Sequence, residues 1–171
     1  MIIGSVSENK EVEKRISITP EIAKKYKDLG FEVFLSEDYG KHLGFNEKEY
    51  KELGVKFISD DKELIEKSDI IIQMSLLEGE KNSLLKAGQI FIGVLNPYDN
   101  KNKLDELLKK KINLFSLELL PRITRAQSMD ILSSQANLAG YKAVVESFSI
   151  YEKAIPMMMT AAGTIPAAKV L

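Results

Sequence analysis

Two unbroken apolar runs in the middle of the chain limit the folds open to it. Residues 70–72 read Ile-Ile-Ile, and residues 90–95 read Ile-Phe-Ile-Gly-Val-Leu. Runs this short suit β-strands, and the lack of alternating polar residues suits strands that are buried on both faces. Such strands occur in parallel sheets that helices cover on each side. The sequence therefore predicts a parallel sheet with these two runs near its centre.

Predicted strands and helices alternate over the first two thirds of the chain. Further strands are predicted at residues 2–6, 31–35, 55–58 and 112–117. Helices are predicted at residues 20–29, 47–53, 59–64, 81–86 and 99–110. This alternation favours an α/β fold with a Rossmann-like, doubly wound parallel sheet. In such sheets, ligands bind beyond the carboxyl ends of the strands.

Local signals fix some of these elements more firmly than others. Thr19 and Pro20 give a strong helix start, a capping hydroxyl followed by proline at the first helical position. Phe31, Val33 and Leu35 occupy alternate positions, so this strand is expected to bury one face. The chain contains no Gly-x-Gly-x-x-Gly. The predicted sheet thus lacks the glycine-rich fingerprint that lets a pyrophosphate approach backbone amides.

Composition removes several classes of function. The 171 residues include no cysteine, which excludes thiolate catalysis and cysteine-ligated metals, and the single histidine, His42, argues against a histidine metal cluster. We therefore expect no metal. The formal net charge of -1 gives no indication of a nucleic-acid partner. The apolar tail, residues 154–171, is interrupted by Pro156, Gly163, Pro166 and Lys169, so we expect it not to span a membrane and expect a soluble, cytoplasmic protein.

Residues 121–141 stand out because arginine is rare elsewhere. The chain has three arginines against 21 lysines, and two of the three, Arg122 and Arg125, lie in this stretch. Arginine presents a planar fork of donors that suits bidentate contacts to carboxylates, phosphates and amides. Arg122, Gln127, Asp130 and Ser133 follow the last predicted strand, and they would place charged and amide groups at a helix start. Polar ligands bind readily at such a place.

Structural explanations for the same residues stay open. Gln127 could close a capping box with Thr124, and Asp130 is favourable near a helix N-terminus simply because of the helix dipole. Ser133 could be a small packing residue, and Arg122 could be a surface cation. From the residues alone, a ligand site and a plain helix cap are both consistent with the stretch.

One long helix is predicted after this stretch. It runs from about residue 127 to 155, with an apolar stripe through Leu138, Tyr141 and Phe148. Gly140 in its interior predicts close backbone packing. The predicted organisation is a Rossmann-like domain at 1–126, a connecting helix at 127–155 and, at 156–171, the start of a further domain, in which residues 166–171 are predicted to begin a strand.

The stretch at residues 121–141, Pro-Arg-Ile-Thr-Arg-Ala-Gln-Ser-Met-Asp-Ile-Leu-Ser-Ser-Gln-Ala-Asn-Leu-Ala-Gly-Tyr, resembles the alpha subunit of proton-translocating NAD(P) transhydrogenase. Residues 13–20, Glu-Lys-Arg-Ile-Ser-Ile-Thr-Pro, resemble that family's opening motif, which alanine dehydrogenase shares. Residues 160–171 are similar to the segment that leads into its NAD-binding domain. The resemblance implies the N-terminal part of the soluble NAD(H)-binding component, a fragment that we expect to be inactive alone.

The resemblance also implies a site, cofactors and partners. Arg122, Gln127, Asp130 and Ser133 match the loop that contacts the nicotinamide and its ribose, so Gln127, Arg122 and Asp130 are the expected catalytic positions. NAD(H) would bind the complete subunit and NADP(H) a partner beta subunit. Hydride transfer between them would be coupled to proton translocation through a membrane component. A homodimer is expected, peripheral on the inner or plasma membrane through those partners.

Two alternatives belong to other classes. Alanine dehydrogenase needs an acid–base group, and its family uses a lysine and a histidine at positions that match Ser75 and Asn96 here. Only Arg15 matches the substrate-binding residues of that family. Two of the three residues are therefore absent, which argues against amino-acid oxidation. The second alternative is a non-catalytic interaction domain.

Overall fold

The computed structural model describes residues 1–169, which form two compact units, residues 1–129 and the residues from 130 onward. The first unit is built on one parallel sheet. Its strands are β1 (Ile2–Ser5), β2 (Glu32–Ser36), β3 (Lys56–Ile58), β4 (Ile70–Ile72), β5 (Ile90–Gly93) and β6 (Asn113–Ser116). They lie in the order β3-β2-β1-β4-β5-β6 and every neighbouring pair is parallel. The Rossmann-like fold predicted from the alternation of elements is therefore confirmed.

Four helices cover this sheet on its two faces. They are α1 (Pro20–Asp28), α2 (Glu47–Glu52), α3 (Asp61–Lys67) and α4 (Lys101–Lys109). Ala23 of α1 and Tyr50 of α2 pack in one apolar cluster, and Leu64 of α3 and Leu104 of α4 pack in the other. Because successive side chains of a strand point to opposite faces, the two clusters lie on opposite sides of the sheet.

The cap predicted at Thr19 is present, and two further helices begin at side-chain caps. The Thr19 hydroxyl accepts a hydrogen bond from the Ile22 N–H, and the side chains of Asn46 and Asp60 cap α2 and α3. Each cap satisfies a backbone N–H that has no partner inside its helix. Local sequence signals therefore set where these helices begin.

Several local predictions were wrong. Strand β2 buries both faces rather than one, since Val33, Phe34 and Leu35 are all buried. The helix predicted at residues 81–86 is a 3₁₀ helix, Gly79–Leu84. The burial of β2 has a clear cause: β1 and β3 flank it, which makes it an interior strand.

The second unit contains helix α5 (Ile131–Ile150) and a two-stranded antiparallel sheet of β7 (Met158–Thr160) and β8 (Gly163–Ile165). The helix is shorter at both ends than the predicted span of 127–155, and at its start Thr124–Met129 forms a 3₁₀ helix instead. Gly140 has nothing within 4 Å of an added Cβ, so the close packing predicted there is not found among the described residues. A strand was predicted at 166–171; residues 166–169 form none, and 170 and 171 lie outside the described residues.

Candidate functional site

Strands β1 and β4 form the centre of the sheet and flank the point where strand order changes direction. From β1 the chain adds β2 and β3 on one side, and from β4 it adds β5 and β6 on the other. In open sheets of this kind, ligands bind in the crevice beyond the carboxyl ends of the strands at this point. The residues that follow β1 and β4 therefore define the first place to look for a site.

A buried glutamine joins the two strands at that crevice. Gln73, which follows β4, is 3% exposed. Its Oε1 accepts hydrogen bonds from Ser5 Oγ (2.8 Å) and from the Val6 N–H (2.8 Å), and its Nε2 donates to the Val6 carbonyl (3.1 Å). A buried amide with donors and acceptors matched in this way holds a single orientation. Gln73 thus fixes the relative position of the ends of β1 and β4.

Glu8, in the loop after β1, inserts its carboxylate beside this glutamine. Oε1 accepts hydrogen bonds from the backbone N–H of Met74 (2.6 Å) and Ser75 (3.4 Å) and from Gln73 Nε2 (3.2 Å), and Oε2 accepts one from Ser75 Oγ (2.7 Å). Burial raises the pKa of Glu8 above its ordinary value, and the bonds from Ser75 and Met74 act in the opposite direction. The loop after β1 is therefore anchored over the crevice by one half-buried carboxylate.

The raised pKa of Glu8 gives a measurable pH dependence of stability. A folded state that holds this proton more tightly than the unfolded chain loses stability as pH rises from about 4.5, the ordinary value, through the folded pKa. We expect the free energy of unfolding of the wild type, relative to Glu8→Gln, to fall across that window and to be level on either side. Urea unfolding from pH 3.5 to 7 measures it. A difference that is constant with pH, or that rises, would contradict the shift.

Tyr39 anchors the same loop at a second place. Its hydroxyl bonds with Ser5 Oγ (2.9 Å) and accepts hydrogen bonds from the N–H groups of Ser17 (3.1 Å) and Ile18 (3.2 Å). Burial raises the pKa of Tyr39, so this phenol is a neutral hydrogen-bonding group near neutral pH. The loop between β1 and α1 is held to the sheet at both ends.

The three residues that the sequence resemblance matched to the substrate positions of alanine dehydrogenase all have hydrogen-bond partners here. Ser75 Oγ donates to Glu8, and Asn96 Nδ2 donates to Asp99 Oδ2 (2.6 Å). The guanidinium of Arg15 bonds both carboxylate oxygens of Glu13, and this pairing lowers the pKa of Glu13. Serine and asparagine do not titrate near neutral pH, so neither Ser75 nor Asn96 supplies the acid–base group that amine oxidation needs.

Arg122 and Gln127 lie in the segment that follows β6, in the first unit. Both are exposed, and Gln127 belongs to the 3₁₀ helix Thr124–Met129. Within the part of the chain that the structure describes, neither side chain has a hydrogen-bond or ion-pair partner. The Gln127 side chain therefore does not close the capping box predicted with Thr124. Both side chains have all their donors available.

Asp130 and Ser133 lie in the second unit, where they form the start of α5. Asp130 is the N-cap: its Oδ1 accepts a hydrogen bond from the Ser133 N–H (3.0 Å), and its Oδ2 accepts one from Ser133 Oγ (2.6 Å). Such a cap contributes about 1 kcal/mol to a helix. Asp130 therefore acts as a helix cap, as the structural explanation of this residue expected.

The cavities described in the first unit are lined by residues other than Arg122 and Gln127. One of about 270 Å³ is lined by Gly79, Lys103 and Lys110 among others, and one of about 410 Å³ lies near Met1 and Gly88. Beside Glu8 there is a cavity of only about 20 Å³. Within residues 1–169, no group of three or more metal-ligating side chains is present, and no helix is long and apolar enough to cross a membrane.

Sequence reasoning missed Glu8, Gln73 and Tyr39. Glu8 and Ser75 are 67 positions apart in the chain, and Ser5 and Tyr39 are 34 apart. Only strand order brings them together, and strand order is not visible in a single sequence. One indication of this crevice is present in the sequence: Glu8 and Gln73 are polar residues that follow closely after two apolar strands.

The fold and the crevice define a Rossmann-like domain that lacks the glycine-rich loop. The sequence profile of the alanine dehydrogenase/PNT N-terminal domain family matches residues 4–139. The chain belongs to this family. Two relatives, each named as the first part of the alpha subunit of NAD(P) transhydrogenase, come from Rickettsia prowazekii and Rhodospirillum rubrum. They are 43% and 39% identical over all of this chain and 46% of their own length.

Solved structures give the same assignment. A transhydrogenase from Sinorhizobium meliloti matches 98% of this chain and 50% of its own, with 38% identity and a TM-score of 0.89. An L-alanine dehydrogenase matches 69% of this chain and 32% of its own, with 19% identity and a TM-score of 0.64, which supports the fold alone. The chain spans about half the length of the relatives it matches, and the transhydrogenases are much more similar to it than the alanine dehydrogenase.

Proposed function

We propose that this chain provides the nicotinamide-binding side of the NAD(H) component of a proton-translocating NAD(P) transhydrogenase. The observation that carries the proposal is the loop after β6. In a chain 43% identical to a transhydrogenase alpha subunit, Arg122 and Gln127 are exposed and have no partner within the described residues. Side chains with unused planar donors fit a ligand rich in amide and hydroxyl acceptors, such as a nicotinamide ribose.

Each of the four residues has a task in this proposal. The guanidinium of Arg122 donates to the carboxamide and ribose oxygens, and the amide of Gln127 fixes the rotation of the carboxamide. Asp130 and Ser133, already joined by a 2.6 Å hydrogen bond, present one acceptor and one hydroxyl to the ribose. Bound NADH supplies the hydride, a proton with two electrons. The residues contribute position and electrostatics, since hydride transfer requires no general base.

The proposal extends to partners. An NADP-binding beta subunit would receive the hydride, a membrane component would carry the coupled proton, and the alpha component would be a homodimer at the cytoplasmic membrane surface. The absence of Gly-x-Gly-x-x-Gly from this chain gives it the nicotinamide end of NAD(H) only. We expect the 171-residue chain to bind NADH no more tightly than millimolar.

The first test is activity of the complete subunit with and without its partner. Transfer from NADH to an NADP analogue that appears only when the NADP-binding component is added supports the proposal. Alanine-dependent reduction of NAD by the complete subunit alone would contradict it. Binding to a partner without either activity would indicate that the chain is a non-catalytic interaction domain.

Arg122 and Arg125 offer a matched pair of substitutions. We expect Arg122→Ala in the complete subunit to weaken NADH binding about tenfold or more, because it removes charge-assisted hydrogen bonds. Arg125→Ala removes an exposed arginine three residues away and is expected to stay within about twofold of wild type. Isothermal titration with NADH measures both. Equal effects of the two substitutions on NADH affinity would show that Arg122 contributes only general positive charge to the surface.

A further inference from the structure

The loop after β6, residues 117–129, carries Arg122 and Gln127 and makes few hydrogen bonds outside itself. Its described backbone bonds are local: they run from the N–H groups of Leu120, Ile123 and Ala126 to the carbonyls of Leu117, Pro121 and Ile123, at 3.2, 2.9 and 2.9 Å. Within residues 1–169, one hydrogen bond joins this loop to another loop of the first unit. Glu118 makes that bond, so its side chain is placed to set the orientation of the loop.

The partner of Glu118 is a turn that is itself held in place. Glu118 Oε1 accepts a hydrogen bond from the N–H of Asn96 (2.5 Å), in the turn after β5. The Asn96 carbonyl accepts from the N–H groups of Asp99 (3.2 Å) and Asn100 (2.9 Å). Asn100 Nδ2 donates to the carbonyl of the buried Leu95 (3.0 Å). Asn96 has a φ of 45°, which asparagine tolerates better than most residues. Glu118 is therefore joined to a fixed point at the end of β5.

A carboxylate at position 118 does not favour stability. Glu118 Oε2 is buried and has no hydrogen-bond partner within the described residues, and a buried acceptor without a donor costs free energy. Asn96 is exposed, so its N–H would bond to water if Glu118 were replaced. Residues that lower stability are found where function requires them. The packing of the fold alone gives no reason for a carboxylate here.

We propose that Glu118 is a positioning residue for NADH: through Asn96 it holds the start of the loop after β6, and with it Arg122, in the orientation that binds the nucleotide. The inference rests on the proposed function, because it takes Arg122 as a contact to the nicotinamide ribose. Arg122 lies four positions after Glu118. Gln127 follows Ala126, which is 6% exposed, so burial holds the loop at that point without Glu118.

The two holding points predict different effects on binding and on rate. A loop that adopts its binding orientation only part of the time weakens the apparent affinity in proportion to that fraction. Loss of the bond from Asn96 to Glu118 should therefore weaken NADH binding through Arg122. The rate of hydride transfer at saturating NADH should stay within about twofold of wild type, because bound nucleotide selects the competent orientation and Gln127 keeps its place.

Two replacements of similar length test the role of the acceptor oxygen. In the complete subunit, Glu118→Met, which has no acceptor, is expected to weaken NADH binding about fivefold and to leave the Tm within about 2 °C of wild type. Glu118→Gln keeps an acceptor for the Asn96 N–H and should bind NADH within about twofold of wild type. Isothermal titration and thermal unfolding measure these effects. A purely structural role would instead lower the Tm and leave NADH affinity unchanged, which would overturn the inference.

Glu106→Met is the matched control. Glu106 is an exposed carboxylate on α4, and its side chain has no hydrogen-bond or ion-pair partner in the described part of the chain. Its replacement by methionine should change NADH affinity by less than about twofold. If Glu118→Met does not fold, Glu118→Asp replaces it, since aspartate keeps the charge but draws the acceptor back by one bond. We expect this variant to weaken NADH binding about threefold.

A double-mutant cycle links Glu118 to Arg122. In the Arg122→Ala background, Glu118→Met should change NADH affinity by less than about twofold, because the side chain that it positions is gone. Effects that add in full would overturn the inference. Failure of the proposed function gives a different result, since Arg122→Ala would then leave NADH affinity unchanged by itself.

Hydrogen exchange tests the attachment of the loop without NADH. In the complete subunit, Glu118→Met should speed exchange of the Ile123 and Ala126 N–H groups about fivefold, whereas Glu118→Gln and Glu106→Met should not. The N–H groups of β5 should exchange at the same rate in all three variants. Unchanged exchange in Glu118→Met would overturn the inference whether or not the subunit binds NADH.

Discussion

Replacing Gln127 with asparagine is expected to slow hydride transfer by about 100-fold and to change NADH affinity by less than about threefold. The side chain is exposed and has no partner in the described part of the chain, so its shortening breaks no internal hydrogen bond. Asparagine keeps the amide but places it about one bond length back. An error of about 1 Å in the position of a reacting group is enough for such a loss of rate.

Single-turnover transfer from NADH to an NADP analogue, with the partner component present, measures the rate, and a separate NADH titration measures affinity. Arg125→Ala, in the same 3₁₀ helix Thr124–Met129, controls for disturbance of the segment and should leave the rate within about twofold. If rate and affinity fall equally, Gln127 anchors the nucleotide rather than positions it. If neither changes, Gln127 has no part in the site.

Under the proposed function, the residues of the crevice suit catalysis by positioning. The sequence resemblance matches Ser75 and Asn96 to the positions where alanine dehydrogenase is expected to need titrating groups, and both are engaged with neighbours here, Glu8 and Asp99. Amino-acid oxidation has to move protons as well as a hydride. Transfer between two nicotinamides moves the hydride alone, and its catalytic demand is alignment. Under the proposed function, two side chains at the ends of the strands would separate the two reactions on one fold.

The sequence predicted the centre of the sheet because the signals there are local. Ile70–Ile72 and Ile90–Gly93 are apolar without alternation, and Thr19, Asn46 and Asp60 each cap a helix through a hydrogen bond within their own turn. A signal contained in a few consecutive residues can be interpreted without knowing where the rest of the chain lies.

Features that depend on strand order leave no local signal in the sequence. Phe31, Val33 and Leu35 predicted a strand with one buried face, yet β1 and β3 flank β2, and Val33, Phe34 and Leu35 are all buried. The hairpin of β7 and β8 was hidden in an apolar tail, because Met158–Thr160 and Gly163–Ile165 carry no regular alternation. The contacts of Glu8 were also missed, because 66 positions separate Glu8 from Met74 in the chain.

The candidate nicotinamide site was predicted from arginine usage and from a resemblance. In the structure, its first two residues differ from its last two in their contacts. Arg122 and Gln127 are exposed and unpartnered within residues 1–169, as a ligand site needs, whereas Asp130 and Ser133 are joined to each other as a helix cap. A capping aspartate can also accept from a ligand, because a carboxylate has about four lone-pair positions. The assignment of all four residues to NAD(H) stays a prediction.

Replacing Gly4 with alanine is expected to lower the free energy of unfolding by roughly 3 kcal/mol. Gly4 lies in β1 between Phe34 of β2 and Ile71 of β4. An added Cβ would lie 2.1 Å from Ser68 Oγ and 2.9 Å from both Ser68 Cβ and Leu64 Cδ2. Neighbouring strands hold the backbone on each side, so α3 has to move away from the sheet.

A partial rescue distinguishes this clash from a general intolerance of β1. Ser68→Ala removes the nearest atom, so Gly4→Ala combined with Ser68→Ala should recover part of the loss, with the 2.9 Å contact to Cβ still present. Gly93→Ala offers the contrast, since its Cβ would lie 2.6 Å from the backbone oxygen of Gln73, which no side-chain deletion relieves. Gly140→Ala, with nothing within 4 Å, should be neutral or stabilise by up to about 1 kcal/mol. Urea unfolding measures the stability of all four variants. Equal losses for Gly4→Ala and Gly140→Ala would show that α3 packs against β1 less closely than the 2.1 Å and 2.9 Å distances require.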